Sequence, residues 1–334
     1  MSSSCPRTRL TTCLVPMIKV GITGCETLRA TELVRVLINH PDVELCWAIG
    51  DVPSGVCLDS IVTGIVGECD LKANPEKPLD EVDVVFVCDS VTRAQSTLDA
   101  LALPEQTRII DLSGSHNMAH GGESPWKYGL SEMQRRVLVH DSPLVSIPGN
   151  AATALLLAVM PMARNLMLNS PLEIKVALGT MAFLEDGRTI DGFDVDGWAA
   201  NQRQEVEYAL RQCQSSFDQP VSLTISRLAE RRALAAAVRF KCGVDGETVH
   251  QLYDQYYDDH NFVFIVDRPI VTADVENTNK CLIHLEKDER TGWLTIHAVM
   301  DLLLKGSAGN AVHIMNLMFG LHERAGLALK ATGC

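Results

Sequence analysis

The sequence predicts two joined folds: an α/β domain on a doubly wound parallel sheet, and an α+β domain with a mixed or antiparallel sheet. Three observations carry this. The first half alternates short apolar runs with amphipathic helical stretches, the pattern of parallel strands buried on both faces. The second half holds longer, partly alternating runs separated by two helical stretches. A last helical segment follows and is read as returning to the first domain. A length of 334 residues suits such a two-domain chain.

Residues 1–16, "MSSSCPRTRLTTCLVP", are basic, rich in Ser and Thr, and lack the apolar centre of a secretion signal. They are read as a disordered extension, with a short targeting segment as the alternative. "IKVGITG" (18–24) is a first buried strand. "LRATELVRVLINH" then sets Leu33, Val34, Leu37 and Ile38 on one helical face. "HPDVELCWAIG" turns at Pro41 into a second strand ending near Gly50, and "VDVVFVC" and "TRIIDLS" are further strands. "VSIPGNAATALLLAVMP" (145–161) reads as a strand end, a Pro-Gly turn and a long apolar helix. Asn150 stands at that junction and is read as the helix N-cap, a position Asn favours. Beyond it, "LEIKVALG", "VSLTISRLA", "ALAAAVRFKC" and "GWLTIHAVM" are strands, while "QRQEVEYALRQCQSSF" and "GETVHQLYDQYYDD" are helices. The expected division is 17–149, 150–305 and a C-terminal helix in 306–334.

A net charge of −13 argues against nucleic acid or an anionic membrane as partner. No apolar run reaches the roughly 18 residues of a membrane span. None of the eleven cysteines forms a C-x-x-C pair, so they read as reduced, buried thiols of a cytoplasmic protein. No metal site is expected.

"GITGCETLRATEL" is a reduced form of the Rossmann-type phosphate loop. Gly21 and Gly24 are present, but Thr27 stands where a third glycine would help, and Glu26 opposes a pyrophosphate. Asp51, after the second strand, is a candidate acceptor for a ribose, which favours NAD over NADP.

With "ELVRVLINHPDVE", "IIDLS", "YGLSEM", "VENTNKCLIHLEK" and "LLKGSAGNAVHIMNLMFGL" in this order, the chain from Met17 resembles the N-acetyl-gamma-glutamyl-phosphate reductase family of arginine biosynthesis. The resemblance implies a Rossmann domain joined to an α+β catalytic and dimerisation domain, related to aspartate-semialdehyde dehydrogenases. It implies NADPH as cofactor, a cysteine thiolate that attacks an acyl phosphate, and a histidine acid/base. At the matching positions the chain departs from the family. The nucleophile's place holds Asn150, and the two histidines become Ala200 and Gln202, although Glu205 remains. The "DLS" strand runs into Ser113, Gly114, Ser115, His116 and Asn117, without the family's acid and arginine. A Gly-rich stretch of the second domain becomes Thr180–Phe183. Arg232 is the candidate substrate-side arginine, and Asn316 the candidate partner for a nicotinamide amide.

Loss of a covalent nucleophile typically costs roughly 10⁴ to 10⁶ in rate. The expectation is a catalytically inactive or strongly impaired homologue with a structural or regulatory role. It would be a homo-oligomer, or pair with an active reductase. The alternatives are a reductase using non-standard residues, or a binder that senses a nucleotide or metabolite. Cys25 lies in the phosphate loop, where a helix N-terminus could activate it, but on the wrong segment for a thioester. His284 and His297 read as structural, His313 as a candidate cleft residue, and "YDQYYDD" as a helix face.

Overall fold

Each half of the chain closes around its own six-stranded sheet in the computed structural model, which describes residues 17–75, 80–117, 124–140, 142–185, 188–189 and 194–332. The expected extension at 1–16 lies outside the described residues.

In the first half, β1 (Ile18–Thr23), α1 (Leu28–Leu37), β2 (Val43–Ile49), α2 (Leu58–Ile61), β3 (Val84–Val87), α3 (Ala94–Ala100) and β4 (Arg108–Asp111) follow in turn. Then come β5 (Lys127–Tyr128), α4 (Ser131–His140), β6 (Leu144–Ser146) and α5 (Asn150–Arg164). The strands pair in parallel in the order β2-β1-β3-β4-β6-β5. All four residues of β3 are buried, as a central parallel strand requires.

Thirteen consecutive residues of α5, Ala151 to Ala163, are buried. A helix apolar on every side belongs inside a core, and this one packs with the second sheet. That sheet is built from β7 (Leu172–Leu178), β10 (Val221–Arg227), β11 (Ala233–Lys241), β12 (Val263–Ile265), β13 (Cys281–Asp288) and β14 (Trp293–Asp301). Between them lie the short pair β8 (Leu184–Glu185) and β9 (Arg188–Thr189), and the helices α6 (Val195–Cys213) and α7 (Gly246–Tyr257). The order is β10-β7-β11-β14-β13-β12, with parallel pairs at both ends and antiparallel pairs between. The doubly wound first sheet and the mixed second sheet are those the sequence predicts.

Burial alternates along the central strands of the second sheet. In β7 Ile174 and Val176 are buried while Glu173 and Lys175 are exposed. One face therefore meets α5 and α6, and the other carries polar side chains such as Arg239 and Lys241. The tyrosines of α7 behave as a helix face: Tyr253 and Tyr257 are buried and donate their hydroxyls to the Ala158 and Leu157 carbonyls of α5.

After β14 a π-helical turn, Leu304–Ala308, leads into α8 (Gly309–Met318). Val312, Met315 and Met318 of α8 share the core of the first sheet with Leu33 and Val34 of α1. The turn is anchored by a buried ion pair, Lys305 Nζ to Glu132 Oε1 at 2.6 Å. Burial opposes the charge on Glu132, but Lys305 outweighs it and holds the carboxyl at about 2.

Candidate functional site

Elements of both halves of the chain line a cleft of about 430 Å³. Its walls come from the start of α1, the loop after β4, the β6–α5 turn, the 3₁₀ turn Thr180–Phe183, α6 and the π-helical turn.

The β6–α5 turn is the centre. Pro148, Gly149 and Asn150 all line the cleft. Gly149, with φ −56° and ψ 147°, is the N-cap of α5, and Asn150 is its first helical residue. The expected capping role of Asn150 is thus corrected. Its Oδ1 accepts only from the adjacent amide of Ala151, at 2.7 Å. The cap comes instead from α6: Gln202 Oε1 accepts from the amide of Ala152 at 3.0 Å. Gly149 is what lets Gln202 approach, because a Cβ there would lie 2.5 Å from the Gln202 amide.

Beneath the turn, Glu205 accepts from three donors: the Gly149 amide at 3.1 Å, the Tyr128 hydroxyl at 2.9 Å and Asn117 Nδ2 at 3.1 Å. Complete burial pushes its carboxyl up to about 7, against the pull of those three bonds. The side chains of residues 202 and 205 thus join Asn150 in one constellation, and Ser113, Gly114 and Asn117 border it. Ala200, on the same helix, is half-buried and contributes no polar group. Across the cleft, Gly306 brings the π-helical turn against Asn150, where a Cβ would lie 3.1 Å from that of Asn150. Among the described lining residues the single charged side chain is Arg29, whose Nη1 donates to the Leu112 carbonyl at 2.6 Å. No cysteine or histidine is among them.

The other sequence-derived candidates lie elsewhere. Arg232 does not face the cleft. Its guanidinium is held by Glu32 of α1 at 2.7 and 2.9 Å and by Asp301 at 2.8 and 3.1 Å. Burial works against its charge, but those bonds raise its pKa above the ordinary value. Asn316 is fully buried and binds His40 Nε2 at 3.0 Å and the carbonyls of Glu323 and Ala325. Its amide is therefore committed away from any nicotinamide. His313 is buried against Glu323 Oε2 at 2.7 Å, and burial lowers its pKa. His284 and His297 pair across β13 and β14. Cys25 is no thiolate: burial, aided by Glu26, pushes its thiol up to about 12.

At the first glycine loop, Gly21 lies within β1 under the Trp47 ring, which would stand 2.2 Å from a Cβ there. That glycine serves packing. Gly24, at φ +64°, makes the turn against the backbone of Asp89. Thr27 is the N-cap of α1, and its Oγ1 accepts from Ala30 N at 3.3 Å. The Asp51 side chain is 83% exposed, and Arg93 Nη1 lies 3.6 Å from it.

Two features escaped sequence reading. Tyr128 and Asn117 hold Glu205 from 77 and 88 residues away. Their only signal was position, Tyr128 in "YGLSEM" and Asn117 after "DLS". The buried pair of Lys305 and Glu132 lay inside two resembling motifs without being marked as a pair.

A doubly wound domain, a mixed-sheet domain and a helix N-terminus in the cleft between them define a two-domain class. The semialdehyde dehydrogenase NAD binding domain matches residues 19–140, and the semialdehyde dehydrogenase dimerisation domain matches residues 201–301. The fold is similar to aspartate semialdehyde dehydrogenase II from Vibrio cholerae, with TM-score 0.67 and 13% identity over 90% of this chain and 98% of that one. A probable aspartate-semialdehyde dehydrogenase from Pseudomonas aeruginosa gives 0.68 and 16%, with the same coverage. Within this class, proteins named N-acetyl-gamma-glutamyl-phosphate reductase from Parabacteroides distasonis and Bacteroides fragilis are each 37% identical over 94% of this chain and 99% of their own. The chain belongs to the N-acetyl-gamma-glutamyl-phosphate reductase family.

Proposed function

We propose that this chain is a family member in which the acyl-phosphate route is closed, and that it acts as a structural or regulatory protein. The occupied mouth of α5 carries this reading. The route needs a thiolate stabilised by free backbone donors and the positive end of a helix. Here Asn150 holds the first helical position, and three backbone donors are taken by Asn150, Gln202 and Glu205. The cleft residues described offer no thiol to replace the nucleophile and no imidazole to serve as acid/base. The substitutions gather on chemical positions, while packing segments such as "MNLMFGL" persist, which fits continued demand for the fold.

The match to a dimerisation domain supports an oligomer, either of this chain or with an active reductase. No helix among the described residues is long and apolar enough to cross a membrane, which is compatible with a cytoplasmic protein.

The deciding assay supplies N-acetylglutamate semialdehyde, phosphate and NADP⁺ in the reverse direction. Turnover within about tenfold of an active family member would overturn the proposal. Appearance of activity in N150C/Q202H would show that the two substitutions close the route. Native mass spectrometry, with and without an active paralogue, reads the partner.

A second reading, a metabolite-sensing binder, draws on the cleft itself, which is open and lined by the carboxamides of Asn117, Asn150, Asn201, Gln202 and Gln204. Calorimetry with N-acylglutamate tests it, and no heat of binding would remove it.

A further inference from the structure

In a doubly wound fold the pyrophosphate of a dinucleotide lies on the N-terminus of the first helix, and its adenosine ribose at the end of the second strand. Both places are taken here by the protein's own oxygens. Glu26 precedes the N-cap of α1 and reaches over the end of β2, where its Oε2 accepts from the Asp51 amide at 3.0 Å. It also covers the bare backbone of Gly50, since a Cβ on Gly50 would lie 2.0 Å from Glu26 Oε2. At the helix mouth, Thr27 Oγ1 takes the Ala30 amide. Arg93, the cation at this rim, is shared between Glu26 at 3.9 Å and Asp51 at 3.6 Å. Asp89, buried across the loop, adds a further acid.

These residues do not fit a dinucleotide, although the domain matches an NAD binding model. We infer that Glu26 is a built-in occupant of the dinucleotide crevice. Its carboxylate takes the hydrogen bond and the space a ribose would use, and its charge repels the pyrophosphate. Asp51 therefore does not select NAD. The inference stands apart from the closed acyl-phosphate route: a chain with Asn150 could still hold a cofactor, and one with a cysteine there could still lack it.

The test is calorimetric titration of the full chain with NADPH and with NADH, on wild type and Glu26→Ser. The expected result is wild-type Kd weaker than about 100 µM for both, and binding at least about tenfold tighter in Glu26→Ser. A wild-type Kd tighter than that limit for either dinucleotide overturns the inference. So does a folded Glu26→Ser variant, melting with wild type, that gains nothing. If Glu26→Ser does not fold, Glu26→Gln removes the charge at constant shape and is judged by the same gain.

Discussion

Gln202 and Ala152 are 50 residues apart in sequence, yet the side chain of one caps the first turn of the helix that holds the other, at 3.0 Å. The bond joins α6 to the mouth of α5 at the centre of the cleft. Gln202→Ala removes the acceptor and leaves a buried amide unmet. The expected loss is about 1–2 kcal/mol of unfolding free energy, measured by urea denaturation. A change below about 0.3 kcal/mol would show that water replaces the cap without cost.

Glu205 makes stability depend on pH with a definite sign. Its folded pKa of about 7 lies above the 4.5 of an ordinary glutamate. Its stabilising contribution is full below pH 4.5 and is lost as pH rises through 7. Glu205→Gln removes this titration. Between pH 5 and 7, wild type should lose stability relative to the variant by up to about 1.4 kcal/mol per pH unit. Parallel stability curves for the two proteins would contradict the assignment.

Much of the scaffold was legible in the sequence because its causes are local. The four apolar residues of β3 and the alternation in β7 announce strands and the faces they bury. The constellation around Asn150 was half legible. That a helix begins there follows from Pro148, Gly149 and the apolar run. That Gly149 is the cap and Asn150 is not depends on a glutamine from another helix. Arg232 was misplaced for the same reason, since its partner Glu32 is 200 residues away. Glu26 was marked as hostile to phosphate by its charge alone, whereas its reach to Asp51 is a matter of backbone path.

Arg232 ties α1 of the first domain to Asp301 of the second. Arg232→Met would leave buried Asp301 without its counter-charge and Glu32 with Arg35 alone. A loss of about 3–5 kcal/mol is expected, read as a lowered melting temperature. Since the arginine lies outside the cleft, calorimetric affinity for any cleft ligand should be unchanged in protein that remains folded.

Lys305 supplies a parallel case inside the π-helical turn. Lys305→Met strands the buried Glu132, held at about 2 chiefly by the lysine, with the Ser131 hydroxyl as its remaining hydrogen-bond donor. The expected cost is again about 3–5 kcal/mol. The double variant Lys305→Met/Glu132→Leu should recover part of it, because no charge is then left buried. Equal losses in single and double variants would show that packing, and not charge, sets the effect.

The filled mouth of α5 also bears on reversibility over evolutionary time. A cysteine placed at position 150 alone would meet a helix end where Gln202 already takes the Ala152 amide, and on the proposed reading would gain little reactivity. A change at 202 alone would expose an end with nothing to activate. Neither step is rewarded without the other. On the proposed reading, such mutual dependence would act as a ratchet: with the glutamine settled against the turn, the family's chemistry would not return one substitution at a time.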